Sequence, residues 1–139
     1  MYQINEVKIQ RLRECQVDNP VFDVPEKVAN FWNEHVKTSN WFDGDVECSV
    51  VFILDARRKI VSFSKIATGT LDTCFIHPRE VFKVAIVENG AAIILAHNHP
   101  SGDSSPSEAD IKMTRNIIRA GQLLKIDLLD HVIIGVKTE

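Results

Sequence analysis

The chain has 139 residues and a formal net charge of −3, with 45% hydrophobic and 25% charged residues. This composition is that of an ordinary globular domain and excludes disordered, collagen-like and coiled-coil proteins. Its apolar runs are too short to span a membrane, and its first residues lack the apolar segment of a secretory signal, so we expect a cytoplasmic protein. The acidic balance disfavours a broad basic face for nucleic acid. The three cysteines are far apart and form no CxxC pair, which argues against a disulfide framework.

The first half of the chain predicts a strand, a helix and a β-hairpin. Residues 4–14 alternate apolar and polar side chains loosely, which favours a strand. A helix is predicted over 25–35, where a proline suits the first position and apolar residues recur at helical spacing. Residues 47–55 are apolar and rich in β-branched side chains, as in a buried strand. Together with the alternating segment 60–66, across a polar turn, they predict a hairpin.

The second half predicts helices and strands in alternation. A helix is predicted over 77–88, and the apolar run 91–96 predicts a strand. Ser105 begins a capping-box pattern with a proline at the next position, so the following helix is expected to begin there. We expect it to end near Ala120, with Gly121 as the residue that terminates it.

Residues 128–134 predict a last strand in a chain that mixes strands with helices. We therefore expect an α/β fold, in which a mixed β-sheet is flanked by helices on both faces. Residues 1–45 would supply a strand and a helix that belong to or flank the domain, and residues 46–139 would form the domain itself.

A histidine pair closes the predicted strand 91–96. His97 and His99 are two residues apart, which places both imidazoles on one face of a strand. Asp110 lies in the first turn or so of the next helix, and Ser107 precedes it by three, a spacing that shares a helix face. A strand end that faces a helix start can bring two imidazoles and one carboxylate together. Such a set supplies three protein ligands to a tetrahedral zinc ion and leaves one position for water.

The same residues also allow an ordinary structural interpretation. The histidines would then be polar residues at a strand end, and Asp110 a carboxylate that stabilises a helix N-terminus. An isolated His-x-His pattern is more often of this kind. Here the pair closes a buried strand, a Gly/Ser/Pro-rich loop permits the chain to reverse, and a well-capped helix follows. The coincidence of the three features favours a metal site.

The pattern His-x-His, seven residues, Ser, two residues, Asp resembles the JAMM motif of the MPN/JAB metallopeptidases. The surrounding sequence is similar to one branch, the RadC-like proteins. The segments that carry this resemblance are TGTL at 68–71, HPREVF at 77–82, AAIILAHNHPSGD at 91–103 and LDHVIIG at 129–135. The resemblance covers about residues 46–135 and implies a cytidine-deaminase-like architecture.

The resemblance implies a role for each matching residue. His97, His99 and Asp110 would bind one Zn²⁺ per chain, and Ser107 would hydrogen-bond the metal's water or the oxyanion of a tetrahedral intermediate. The family uses a glutamate on an upstream strand as general base, for which Glu47 is the candidate. Glu47 could instead be a solvated carboxylate at a strand start.

Five other residues have alternative interpretations. Glu80 and Glu88 are rival bases, but both fall in a predicted helix away from the motif. His77 either lines a cleft or simply opens that helix. His131 is better explained as a residue behind the ligands, or a core histidine, than as a ligand. Cys74 is better explained as a small buried hydrophobe than as a nucleophile.

The predicted function is that of a zinc-dependent hydrolase of JAMM type, which cleaves an amide or isopeptide bond in a peptide or protein substrate. The alternative is a RadC-like accessory protein of DNA repair with a structural or vestigial metal site. Nucleic acid stays open as a partner but is not supported by charge. A zinc deaminase is disfavoured because its H-x-E and P-C-x-x-C signature is absent. RadC-like proteins usually carry an N-terminal helical segment that we do not find, so we expect a short variant or a trimmed chain.

Overall fold

A computed structural model of the chain describes residues 1–69 and 76–135. Four strands and three α-helices follow one another in this part of the chain, and the first helix continues directly into a π-helical turn. No helix among these residues is both long enough and apolar enough to cross a membrane. In chain order the elements are α1 (Pro25–Phe31) with its π-helical turn (Trp32–Val36), β1 (Cys48–Leu54), β2 (Ile60–Thr68), α2 (Pro78–Val87), β3 (Ala92–Asn98), α3 (Glu108–Leu124) and β4 (Asp127–Ile134).

The four strands form one mixed sheet in the order β2-β1-β3-β4. Strand β1 pairs antiparallel with β2, which is the predicted hairpin, and antiparallel with β3 on its other side. Strands β3 and β4 are parallel, and α3 forms the crossover between them. The two central strands are buried at every position, as their continuous apolar sequences require. The predicted fold class, an α/β protein with a mixed sheet, is confirmed.

Helices cover both faces of this sheet, and alternate residues of β1 point to opposite faces. Val50 and Phe52 belong to a core that includes α1 and its π-helical turn. Val51 and Ile53 belong to a second core, which α2 and α3 close. The first core is rich in aromatic rings, and Phe31 of α1 packs edge-on against Phe52 with ring centroids 5.6 Å apart. The second core is aliphatic apart from one phenylalanine of α2.

The predicted strand at residues 4–14 is wrong. Residues 1–16 have no regular secondary structure, and Val7 and Ile9 are 81% and 62% exposed. A strand is stabilised by hydrogen bonds to a neighbouring strand and by burial of one face, and this segment has neither. Loose alternation of apolar and polar residues is therefore insufficient by itself.

Both predicted ends of α3 need correction. The N-cap is Ser107, two residues later than expected, because its side chain forms a reciprocal capping box with Asp110. The helix also continues past Gly121 to Leu124, and the left-handed residue after it is Lys125. Gly121 lies inside the helix because its bare Cα permits close packing. A Cβ there would lie 2.4 Å from the carbonyl oxygen of Ile126.

The other elements lie within a few residues of their predicted bounds. Strand β3 includes His97 and Asn98, which the sequence placed just after it, and β2 extends to Thr68. His77 is the N-cap of α2, where its ring accepts a hydrogen bond from the backbone N–H of Arg79. The interpretation of Cys74, and part of the TGTL motif, concern residues outside the described part of the chain.

Candidate metal centre

Strand β3 ends with the two histidines of the motif. His97 is the second-last residue of the strand and is 1% exposed, while His99 follows the strand directly. Because strand residues alternate between faces, both rings point to the side that carries α3. Their Nε2 atoms are 2.9 Å apart.

The first turn of α3 brings a carboxylate to the same point. Asp110 accepts a hydrogen bond from the backbone N–H of Ser107 at 2.9 Å, and the Ser107 hydroxyl accepts one from the N–H of Asp110 at 3.1 Å. The capping box therefore holds the Asp110 side chain in place at the helix N-terminus. Asp110 is 3% exposed, and its two oxygens each lie 3.2 Å from the Nε2 of one histidine, His97 or His99.

Glu47 directly precedes β1, and its side chain extends towards the two histidines. The carboxamide of Asn98 holds the backbone on both sides of it. Asn98 accepts a hydrogen bond from the N–H of Cys48 at 2.8 Å and donates one to the carbonyl of Val46 at 3.0 Å. The carbonyl of Glu47 accepts from the N–H of Gly69 at 2.7 Å. The backbone at Glu47 is thus fixed relative to the strand that bears His97.

These four side chains form one compact cluster, which we call the candidate metal centre: Glu47, His97, His99 and Asp110. One ligand atom from each residue lies within 4.8 Å of the others. Glu47 Oε1 is 3.3 Å from Nε2 of His99 and 3.7 Å from Nε2 of His97. The glutamate side chain is 11% exposed, so the cluster is largely shielded and open to solvent at one side.

The donor set suits a divalent cation. Nδ1 of His99 lies 2.8 Å from the backbone carbonyl oxygen of Asp103. Because a carbonyl only accepts, Nδ1 carries a proton, and Nε2 is the ring nitrogen that faces the cluster. Ionised carboxylates likewise offer only acceptors. Imidazole nitrogens and carboxylate oxygens are ligands that Zn²⁺ prefers, so the residues present fit this ion.

The protonation states are also those that metal binding needs. Burial and, to a smaller extent, the neighbouring His131 lower the pKa of His97 to about 4, against the opposing effect of Asp110. Burial acts to raise the pKa of Asp110, but hydrogen bonds from Ser107 and the nearby imidazoles hold it below its usual value. At neutral pH His97 is therefore neutral and Asp110 ionised, and neither has to lose a proton to bind a cation.

His131 and Thr114 lie directly behind His97. Nε2 of His131 is 2.8 Å from Nδ1 of His97, and Nδ1 of His131 is 2.7 Å from the hydroxyl of Thr114. His131 comes from β4 and Thr114 from α3, one turn after Asp110. His131 thus contacts a ring of the cluster from behind, the arrangement that its sequence context favoured over a ligand role.

The remaining sequence candidates lie beside or away from the cluster. Ser107 is exposed. It is the N-cap of α3 and contacts Asp110 through the capping box, whereas the sequence predicted that the two share a helix face. Glu80 pairs with Lys83 at 2.8 Å, and Glu88 with Arg11 at 3.0 Å. The structure does not bring either glutamate to the candidate metal centre.

Sequence reasoning missed Asn98 and Thr114. Asn98 lies between the two histidines of the motif, but its partners are about 50 residues away, so no local signal pointed to them. Thr114 follows Asp110 by four residues, a spacing that places both on one face of α3. That spacing was the available signal.

A cavity of about 290 Å³ opens beside His99 and Asn98. Trp32 and Phe42 supply aromatic walls, and Ile134 lies at its edge. Because this cavity adjoins a residue of the candidate metal centre, it offers room for a bound group next to the cluster.

Comparison with known proteins identifies a family and a set of relatives. A family described as the RadC-like JAB domain matches residues 22–138. A UPF0758 protein of Caldanaerobacter subterraneus subsp. tengcongensis is 43% identical over 111 residues, which are 80% of this chain and 46% of that protein. One from Alkaliphilus metalliredigens is 48% identical over 113 residues, 80% of this chain and 46% of the relative. One from Methanosarcina mazei is 46% identical over 86 residues, 62% and 38% of the two chains. The chain thus spans half or less of the length of these curated relatives.

Proposed function

Because the chain belongs to the RadC-like JAB domain family, we propose that it is a zinc-dependent hydrolase of an amide or isopeptide bond in a peptide or protein. The observation that carries the proposal is the convergence of Glu47, His97, His99 and Asp110. The names of the relatives state no activity, so the proposal rests on the chemistry of these four side chains and on the JAB family.

His97, His99 and Asp110 would hold one Zn²⁺ per chain. His97 lies in β3, His99 directly follows this strand, and Asp110 lies in α3. One ion would therefore join the sheet to the helix. When bound, the ion would supply Lewis-acid chemistry, polarising a carbonyl and making water more acidic.

Glu47 would act as the general base. Its carboxylate would accept a proton from the water that attacks the scissile carbonyl, and would then deliver this proton to the leaving nitrogen. The water oxygen forms the new bond to carbon, the carbon–nitrogen bond breaks, and the products are a carboxylate and an amine. The Asn98 contacts fix the backbone at Glu47, which would limit the motion of the base relative to His97.

Ser107 would steady the negative charge that develops on the carbonyl oxygen. Its hydroxyl oxygen accepts from the N–H of Asp110, and its O–H would donate to the developing oxyanion. A donor aimed at a developing oxyanion is typically worth about 3–4 kcal/mol of barrier. The exposed position of Ser107 lets a substrate approach it.

The experiment compares wild type with Glu47→Gln, using a panel of peptide and isopeptide substrates and elemental analysis of zinc. We expect the variant to keep its zinc and to lose hydrolysis by about 100-fold or more, because an amide cannot accept the proton. Glu80→Gln, which removes a carboxylate of an exposed ion pair, is the matched control and should leave both unchanged. Loss of zinc in Glu47→Gln would make Glu47 a ligand, and surviving hydrolysis would exclude it as the base. A zinc-loaded wild type that cleaves no substrate would contradict the hydrolase proposal.

One observation favours the alternative, an accessory protein that contacts nucleic acid. From Ile111 to Lys125 the helix and its cap carry no acidic residue, and the cations Lys112, Arg115 and Arg119 are all exposed. The three are spaced so that they share one side of α3. If this face binds DNA, reversing the three charges should abolish a salt-sensitive interaction with duplex DNA. Hydrolysis without any such binding would leave only the first proposal.

A further inference from the structure

The cavity beside His99 lies where the aromatic core approaches the candidate metal centre. Trp32 and Phe42 supply its aromatic walls, and Asn98, His99 and Ile134 line it from the ends of β3 and β4. We call this space the aromatic cavity. His99 belongs both to its lining and to the candidate metal centre. A group that fills the aromatic cavity is therefore a direct neighbour of a group held at the cluster.

The aromatic walls are held in place by contacts within the chain. The rings of Trp32 and Phe42 meet edge-on, with centroids 5.9 Å apart and planes at 86° to each other. Trp32 is fully buried. The N–H of Phe42 donates to the carbonyl of Ser39 at 3.1 Å, and the Ser39 hydroxyl accepts from Arg13 at 2.8 Å. A surface fixed in this way loses little conformational entropy when a ligand packs against it.

The strand ends that line the aromatic cavity are held as well. The N–H of His99 donates to the carbonyl of Ile134 at 3.0 Å, which ties the end of β3 to the end of β4. Gly135, which also lines the cavity, packs closely on Ser104. A Cβ at Gly135 would lie 2.7 Å from the backbone nitrogen of Ser104. The aromatic cavity is thus formed by rigid parts of the fold, as is usual for ligand sites.

The size and charge of the aromatic cavity indicate what it holds. Its volume of about 290 Å³ is at the lower end for ligand sites, which suits one large side chain better than a length of peptide. Lys37 and Asp45 also line it, and their opposite charges would attract and repel a charged side chain at once. The two aromatic walls favour another ring, which can pack edge-on or offset against them.

We propose that the aromatic cavity binds a large apolar side chain, preferably an aromatic one, of the peptide residue next to the scissile bond. The substrate class is then a peptide or protein with such a residue beside the bond that is cleaved. Consecutive Cα atoms are about 3.8 Å apart, so a residue that adjoins a bond at the cluster can reach a cavity lined by His99. The inference rests on the proposed function, because the cavity directs cleavage only if a bond is cleaved at the candidate metal centre.

The first test measures binding by NMR in the metal-free protein, with N-acetyl-phenylalanine methylamide and its alanine analogue as probes. We expect the phenylalanine probe to bind about 10-fold to 100-fold more tightly, because its ring is buried against the walls. Its ring current should shift the indole N–H resonance of Trp32. The Trp41 ring lies against the ammonium group of Lys65 instead, so its resonance should shift less. Tighter binding of the aspartate or lysine analogue would overturn the inference.

Two variants change the aromatic cavity in opposite ways. Phe42→Ala removes a wall, whereas Gly44→Val adds bulk beside it, since a Cβ at Gly44 would lie 3.5 Å from the Phe42 ring. Both should remove most of the preference for the phenylalanine probe. Phe63→Ala is the matched control for the lost ring, because Phe63 is also partly buried in the aromatic core but packs against Phe31. It should keep the preference.

Gly44→Val keeps the test decisive if Phe42→Ala fails to fold. Gly44 is exposed, and its new side chain begins in open space apart from the Phe42 ring. A folded Gly44→Val protein with the wild-type preference would overturn the inference.

Hydrolysis by the zinc-loaded protein is a second readout. Peptides with phenylalanine beside the scissile bond should be cleaved with a kcat/KM about 10-fold or more above that of matched alanine peptides. Cleavage without this preference, together with no preference in probe binding, would overturn the inference and leave the proposed function standing. A phenylalanine probe that binds in the aromatic cavity of a protein that cleaves nothing would support the side-chain site and contradict the proposed function.

Discussion

On one face of the sheet aromatic rings fill the interior, whereas on the other face aliphatic side chains give way at one end to imidazoles and carboxylates. Both faces use alternate residues of the same central strands. Phe31 joins rings from three segments on the aromatic face, while His97 and Asp110 join β3 to α3 on the other. The aromatic face can therefore supply stability without constraining the site.

The largest expected effect on stability is on the aromatic face. Phe31→Ala removes a ring that packs against Phe22, Phe52 and Phe63, with centroids 5.3–5.6 Å away. We expect the free energy of unfolding to fall by about 3–5 kcal/mol, because the change leaves a cavity in a buried cluster. Denaturant unfolding measures this loss, and the zinc content of the folded protein should not change. Loss of zinc in folded Phe31→Ala would show that the two faces are coupled.

On the opposite face, Gly121→Ala should be costly although it adds a single methyl group. The new Cβ would lie 2.4 Å from the carbonyl oxygen of Ile126, so backbone must move. We expect a destabilisation of about 1–3 kcal/mol, as for other overpacked sites. Gly44→Ala is the control, since its new Cβ would meet nothing closer than 3.5 Å. Equal melting temperatures for the two variants would refute the close packing of α3.

Asn98 follows His97 in β3, so its side chain points to the opposite face of the sheet from His97. Asn98→Asp can still accept from the N–H of Cys48 but cannot donate to the carbonyl of Val46. We expect about 1–2 kcal/mol of lost stability and slower hydrolysis with zinc content unchanged, because Glu47 is less firmly held. Asn116→Asp, on the exposed side of α3, is the control. Unchanged turnover in Asn98→Asp would mean that Glu47 does not depend on this contact.

The smallest effect on stability is expected in residues 1–16, where Val7 and Ile9 lie outside both cores. Val7 and Ile9 are exposed, so replacing both by serine should change the free energy of unfolding by less than about 0.5 kcal/mol. Thermal unfolding of the double variant measures this. A destabilisation of several kcal/mol would mean that Val7 and Ile9 pack against the domain.

The sequence predicts the central sheet well because its signals there are strong and mutually consistent. The apolar runs at 47–55 and 91–96 predicted buried strands, and the hairpin followed from a polar turn. The prediction of an N-terminal strand was wrong because alternation indicates which side a residue could face but not whether a partner strand is present.

The same distinction holds at the candidate metal centre. The two-residue spacing of His97 and His99 and the position of Asp110 at a helix start predicted that the three lie together. Two overlapping capping-box patterns precede Asp110, and spacing alone could not select between Ser105 and Ser107 as the N-cap. The hydrogen bonds that hold Glu47 and His97 in place join residues from distant parts of the chain, and only the folded structure reveals them.

We propose that the cluster at the end of β3 binds a metal ion. The most direct measurement is elemental analysis of wild type and His99→Ala, both purified without chelator and then offered Zn²⁺. We expect about one zinc ion per wild-type chain, since the ligands can hold one ion. We also expect His99→Ala to lose that ion while its fold stays intact by circular dichroism. A wild-type protein that retains no zinc, or a His99→Ala protein that retains as much, would contradict the metal site.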